Sequence, residues 1–306
     1  MPLVVTGSVG FDSIEVPSGE KREHVLGGSC TYFSAAASFH GPVRIVAVVG
    51  KDFTDEQRAV LAHFGVDTKG LEARDGKTFR WGGRYHANMD ERDTLYTELN
   101  VLGGEPPRVP EEYKDADVVF LANNPPRVQL DFLEQFPHKR FVVADTMDLW
   151  ITTARAELEQ LLTRIDGLVL NYDEAELLSG KQNTVAAARD ILEKGPRFVV
   201  VKKGEHGCLF VHREGIGALP AYPSERVVDP TGAGDSFAGG MMGFLASHDV
   251  DDLGRFDAVY AALVHGTIIA SFTIEDFGLG RLQTLKRQEL LERLEAFVKM
   301  LRVPGL

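Results

Sequence analysis

Between residues 117 and 201 short apolar runs alternate with amphipathic segments. The runs at 118–122, 141–144, 167–170 and 198–201 predict strands. The segments at 129–136, 154–162, 173–178 and 185–192 predict helices. The apolar runs show no in–out alternation, so each strand must be covered on both faces. Strand–helix repetition of this kind joins parallel strands by crossovers. The expected fold is therefore a three-layer α/β/α arrangement with a mostly parallel central sheet. Runs at 3–6 and 43–49 add strands of the same kind, the second followed by a helix at 54–64. Ligands of such sheets bind outside the carboxyl ends of the strands. Asp12, Asp145, Asn171 and Lys203 all fall at such ends.

One stretch breaks the rhythm. Residues 75–104 mix aromatic and charged residues around Gly82 and Gly83, and prolines 106, 107 and 110 close the segment. It reads as short strands outside the main core, a flap or small β lid. Arg80, Arg84 and Arg92 lie in it; each is an ordinary solvated charge unless the flap covers an anion. Downstream, 208–212 reads as the second arm of a hairpin, 256–272 as a long small-residue helix, and the stripe from Leu290 to Leu301 as core.

The stretch 227–246, VVDPTGAGDSFAGGMMGFLA, carries the chemistry. Phe237, Met241, Phe244 and Leu245 recur at helical spacing. Gly232 and Gly234 permit a tight turn just before that helix. The first amides of a helix have no intrahelical partner and favour negative charge. Such a turn can hold a phosphate, and a carboxylate in it, Asp235, can take a proton from an attacking hydroxyl. The plain alternative is an N-cap aspartate after a loop. Near the N-terminus, Gly27-Gly28-Ser29 precede another helix and suggest close approach to a ligand. GSVGFD at 7–12 is not the GxGxxG of a dinucleotide site, which argues against a Rossmann-type oxidoreductase.

Composition narrows the classes. A net charge of −12 over 306 residues argues against nonspecific nucleic-acid binding. Two cysteines, Cys30 and Cys208, give neither a metal cluster nor a disulfide framework, so a reducing cytoplasm is expected. No signal peptide and no 18-residue apolar span is read, so no membrane association is expected.

DPTGAGDSFAGG resembles the C-terminal signature of the ribokinase-like (PfkB) carbohydrate and nucleoside kinases. GGSCTYFSAAASFHGP resembles their N-terminal signature and NYDEAEL their Asn-x-x-Glu motif. The resemblance runs from residue 7 to about 275. It implies a single kinase domain over 1–306, with lid segments at roughly 13–26 and 75–104. It implies transfer of the γ-phosphoryl of ATP to a hydroxyl, usually a hydroxymethyl. By position, Asp235 is the base, and the amides of Gly232, Ala233 and Gly234 form the anion hole. Asp12, Gly28 and Ser29 meet the acceptor, and Asn171, Lys203, Gly204 and Gly207 meet the nucleotide. Glu174 serves Mg2+ through water, while Asp229 and Thr231 match a K+ site of some members. Pairing of lids into a homodimer is also implied.

Three departures bear on the acceptor. Tyr32 or Phe33 stands where many members place an Asn that contacts the sugar. Ser29 replaces a Lys of ribokinases proper, and Asp145-Thr146-Met147-Asp148 replaces DPNxR. The expected acceptor is a small sugar. A nucleoside remains the alternative, as does a sugar- or nucleotide-binding sensor without turnover.

Overall fold

The computed structural model describes residues 1–248 and 251–302. The ends of the expected 1–306 domain beyond these lie outside the described residues. In chain order the strands are β1 (Leu3–Thr6), β2 (Gly10–Glu15), β3 (Lys21–Gly27), β4 (Val43–Val49) and β5 (Asp67–Ala73). Then follow β6 (Phe79–Tyr85), β7 (Arg92–Glu98), β8 (Val118–Leu121) and β9 (Phe141–Asp145). The last four are β10 (Gly167–Asn171), β11 (Phe198–Lys202), β12 (Cys208–His212) and β13 (Gly215–Leu219). Nine of them form one sheet in the order β13-β12-β11-β10-β9-β8-β1-β4-β5. Every neighbour from β11 to β5 is parallel; β12 and β13 extend the sheet as an antiparallel hairpin.

The parallel strands are buried on both faces, as their unbroken apolar runs require. Leu3 and Val5 point into one core with Ile45, Phe120 and Val143, and the helices Ser29–Ala37, Ala233–Ser247 and Phe256–Thr273 close it. Val4 points the opposite way, into a second core with Val46, Val119 and Leu168. The helices Pro126–Gln135, Arg155–Leu162, Tyr172–Ser179 and Thr184–Leu192 close that side. The three-layer expectation is thus met, and the parallel strands β1, β8, β9, β10 and β11 all end at one edge of the sheet.

Local differences from the sequence reading have local causes. The first helix after β8 begins at Pro126 rather than at 129, because proline is preorganised for the first helical position. A short helix, Asp148–Thr153, precedes Arg155–Leu162. The helix Phe256–Thr273 is, among the described residues, long and apolar enough to cross a membrane, contrary to the expectation that no such stretch exists. More than half of it is buried inside the protein, where it packs on Ala233–Ser247.

The remaining strands form a separate sheet, ordered β3-β2-β6-β7. It arises from both expected insert regions, 13–26 and 75–104, and starts three residues earlier, at Gly10. Ile14, Val16 and Tyr85 give it a small core of its own. It stands over the carboxyl ends of the main sheet.

Candidate active site

The cleft lies between the two sheets, in two lobes. One, of about 360 Å³, is lined by Asp12, Gly28, Ser29, Asn171, Glu174 and Gly232–Asp235, with Phe79, Trp81 and Tyr85 from the small sheet. The other, of about 420 Å³, is lined by Gly207, Tyr222, Val227, Phe237, Ala270 and Ile274. Lys202, Gly204, Ala233 and Gly234 belong to both walls, so they mark the passage between the lobes.

The turn ahead of Asp235 has the conformation that its glycines permit. Gly232 is left-handed, with φ 75°, and the Tyr32 ring lies where a Cβ would stand. The helix then starts at Ala233, with Asp235 in its first turn. The Ala233 N–H closes the turn onto Pro230 O at 3.1 Å, and Ser236 N–H donates to Gly232 O at 2.8 Å. Among the described residues the Gly232 and Gly234 amides have no backbone acceptor and are available to an anion. Of the three amides expected to form an anion hole, Ala233 is therefore engaged in the turn itself. Asp235 keeps part of its surface open to the cleft. Its pKa is raised by burial, while the charges of Lys202 and Arg92 pull the other way.

Asp145, at the end of β9, is pushed well above the usual carboxylate range by burial and then by Asp235. The two carboxylates repel each other, so a proton on one of them favours charge on the other. Asp145 Oδ1 is buried with no protein partner.

Asp12 lies on β2, not merely in a turn after β1. Burial and the charges of Asp229 and Asp235 push its pKa up to about 8, against a hydrogen bond from the Gly28 amide. Ser8 and Ser29 bind each other three ways: Ser8 N–H to Ser29 Oγ at 3.1 Å, Ser29 N–H to Ser8 Oγ at 3.0 Å, and the two hydroxyls at 3.1 Å. This clamp fixes the β1 turn to the start of the helix Ser29–Ala37.

Asn171 and Glu174 form a capping box. Asn171 Oδ1 accepts from the Glu174 amide at 2.8 Å, and Glu174 Oε2 accepts from the Asn171 amide at 2.8 Å. The Asn-x-x-Glu spacing thus has a structural reason as well as a chemical one. Glu174 is raised by burial, with Lys202 the chief opposing influence.

Asp229 is fully buried; Oδ1 accepts from the Thr231 amide at 2.9 Å, and Oδ2 has no protein partner. Burial lifts its pKa to about 6. Thr231 Oγ1 stands 3.1 Å from Tyr85 Oη, which ties the small sheet to the anion turn. Among the described residues no three His, Cys, Asp or Glu side chains converge to hold a metal. A divalent ion here would have to lean on phosphates and water, the usual habit of Mg2+.

The residues expected on the nucleotide side separate. Gly204 lines both lobes and Gly207 the second. Lys203 instead lines a different hollow, with Asn183, Thr184 and His206. The lysine in the cleft is instead Lys202, the last residue of β11, whose Nζ lies 2.7 Å from where a Gly234 Cβ would be; Arg92 lines the same lobe. Sequence reasoning missed Lys202, along with Trp150, whose indole N–H donates to Asn123 Oδ1 at 2.8 Å in the cleft wall. The signal for Lys202 was present: a cation ending a fully buried apolar run. Phe33 is core, stacked on Phe120 at 4.5 Å, while Tyr32 is buried beneath the anion turn.

A sequence model of the pfkB family carbohydrate kinases matches residues 4–275. The cytidine kinase of Thermococcus kodakarensis is 32% identical over 247 residues, covering 79% of this chain and 87% of the relative. The nucleoside kinase of Burkholderia thailandensis, solved in complex with inosine, superposes with a TM-score of 0.77 at 18% identity, over 97% of this chain and 99% of that one. The ribokinase of Cryptococcus neoformans, solved in complex with ADP, gives 0.78 at 20% identity, over 95% and 99%. The chain belongs to the pfkB family of carbohydrate kinases, and it is an ATP-dependent kinase of a sugar or nucleoside.

Proposed function

We propose that the acceptor is a nucleoside, phosphorylated on its hydroxymethyl group. The observation that carries this is the aromatic wall of the first lobe. Both tryptophans of the chain, Trp81 and Trp150, line it, together with Phe79 and Tyr85. A free sugar is polar on all sides, whereas a nucleobase presents a flat face that aromatic rings bury well. The cytidine kinase and nucleoside kinase relatives support the same choice over the small sugar that the sequence favoured.

In this reading Asp12, Gly28 and Ser29 bind ribose hydroxyls, and Asp12 accepts from them. Asp235 takes the proton of the attacking hydroxyl. The amides of Gly232 and Gly234, with Lys202, neutralise the migrating phosphoryl group, while the Ala233 amide holds the turn through Pro230 O; phosphoryl transfer depends on positioning and charge more than on covalent catalysis. The second lobe takes the adenine of ATP, with Gly204 and Gly207 along the nucleotide. Asn171 and Glu174 hold phosphate and water on the Mg2+ side; the ion screens phosphate charge when bound. Asp229 Oδ2 and Thr231 suit a monovalent cation such as K+. The small sheet closes over the reactants and excludes water. Its free edge, β7, exposes Leu95 and Tyr96 and is the surface through which two chains would pair as a homodimer.

The test is ADP release from ATP with a panel of nucleosides and free sugars, with the phosphorylated position located by NMR. The highest kcat/KM is expected for a nucleoside, with phosphate on its hydroxymethyl oxygen and quenching of tryptophan fluorescence on binding. A free sugar as the best substrate would overturn the assignment.

A further inference from the structure

Three arginines project from strands β6 and β7 of the small sheet, and the structure separates their roles. Arg80 Nη2 pairs with Asp52 at 3.2 Å, and Arg84 Nε pairs with Glu15 at 2.7 Å. Arg92, at the start of β7, is engaged differently. Its guanidinium carbon lies 5.8 Å from the centroid of the Trp81 ring, and among the described residues it forms no ion pair. Contact with a ring face restrains a guanidinium yet leaves its in-plane N–H donors free.

Its position is fixed from below. Arg92 pairs in register with Tyr85 across β6 and β7. Tyr85 in turn reaches Thr231 Oγ1 at 3.1 Å, two residues before the Ala233 amide. The side chain so held lines the same lobe as Lys202, Gly232–Asp235 and Glu174. Its charge is felt there, because it opposes the burial that raises Asp235 and Glu174.

We propose that Arg92 is a catalytic residue that hydrogen-bonds the migrating phosphoryl group from the small-sheet side, opposite the Gly232 and Gly234 amides. In the step, the acceptor oxygen bonds to the γ-phosphorus and the bond from that phosphorus to the bridging oxygen breaks. The electron pair leaves on ADP, and the hydroxyl proton passes to Asp235. Negative charge on the three equatorial oxygens is shared between the turn amides and Lys202 on one side and Arg92 on the other. A planar fork of donors suits that group better than a point charge. Because the arginine rides on the small sheet, the set of cations is complete only when that sheet is over the cleft. Turnover is thereby coupled to closure.

This inference rests on the placement of Asp235 given above, so the experiment separates the two. Arg92→Ala, Arg92→Lys, Arg84→Ala and Asp235→Asn are compared with wild type, using the best nucleoside from the panel. Arg92→Ala is expected to lose about 10²-fold in kcat, in the range for removal of one preorganised charge donor, with KM for ATP changed less than about threefold. Arg92→Lys should recover only part of the loss, and added guanidinium ion should raise the rate of Arg92→Ala. Calorimetry should show ADP binding unchanged but ADP with aluminium fluoride and acceptor bound at least about tenfold more weakly. Arg84→Ala should match wild type. If Asp235→Asn is inactive while Arg92→Ala keeps wild-type kcat and aluminium fluoride affinity, the arginine proposal fails and the site stands. If Asp235→Asn keeps full turnover, the site itself is misplaced.

Discussion

Lys202 Nζ sits over the Cα of Gly234, so close that a methyl group built there would lie 2.7 Å from it. The cation thus covers the middle of the Gly232–Gly234 turn, and its charge opposes the burial that raises Asp235, Asp145 and Glu174. Lys202→Met should fold and should lose about 10²-fold or more in kcat, as loss of a preorganised charge donor does. Gly234→Ala should cost activity too, because the new methyl displaces the ammonium. Steady-state kinetics on the two variants checks both; an active Lys202→Met removes the lysine from the phosphate path.

Tyr85 and Thr231 join the small sheet to the turn by a single hydroxyl pair at 3.1 Å. A neutral hydrogen bond contributes about 0.5–1.5 kcal/mol net, so Tyr85→Phe should raise the acceptor KM by roughly 3- to 10-fold with a smaller effect on kcat. The ratio of ATP hydrolysis to acceptor phosphorylation should rise in the same variant if this contact helps hold the sheet shut. An unchanged ratio would show that closure does not depend on it.

Asp12 carries a pH signature. Its folded pKa, about 8, lies above the ordinary value of 3.8, so the folded state binds the extra proton. Its contribution to stability is present at low pH and is lost as pH rises from about 4 through 8. Asp12→Asn should therefore be more stable than wild type at pH 8.5, and the advantage should shrink on acidification toward pH 4. The same variant should bind the acceptor poorly. Thermal unfolding across that range is the measurement; an advantage that grows on acidification contradicts the assignment.

The legible parts of the sequence were those where burial imposes a pattern. Strands such as 118–122 and 198–201 sit between two apolar layers, so their composition announced them. β3 and β5 did not: Lys21–Gly27 is exposed along most of its length, and in Asp67–Ala73 only Gly70 and Leu71 are buried. The Lys202–Lys203 distinction shows how little separates right from wrong in a strand. The apolar run ends at Val201 and Lys202 is the first cation beyond it, yet the sequence reading passed over it for Lys203, one residue past the end of the strand. One residue reverses the direction of a side chain. The aromatic wall was hidden for another reason. Trp81 and Trp150 lie far apart in sequence, on β6 and on the short helix Asp148–Thr153, and only the tertiary fold brings them to one lobe.

His40 and His265 give the opposite pH slope. They pack edge to face with ring centroids 5.0 Å apart, His265 stacks on Phe244 at 3.9 Å, and burial lowers both pKa values to about 4 from 6.5. Here the unfolded state binds the extra protons, so stability is present above about pH 6.5 and is lost as pH falls toward 4. Replacing both with Gln should flatten that acid limb in urea unfolding. A limb of the same steepness in the variant would assign the acid loss to other groups.

The most direct test of the account is the turnover of Asp235→Asn with ATP and the preferred nucleoside. A positioned general base contributes about 10²–10⁴-fold, so kcat should fall by that order while the thermal midpoint and ADP affinity stay near wild type. Turnover close to that of the wild type would contradict the account at its centre.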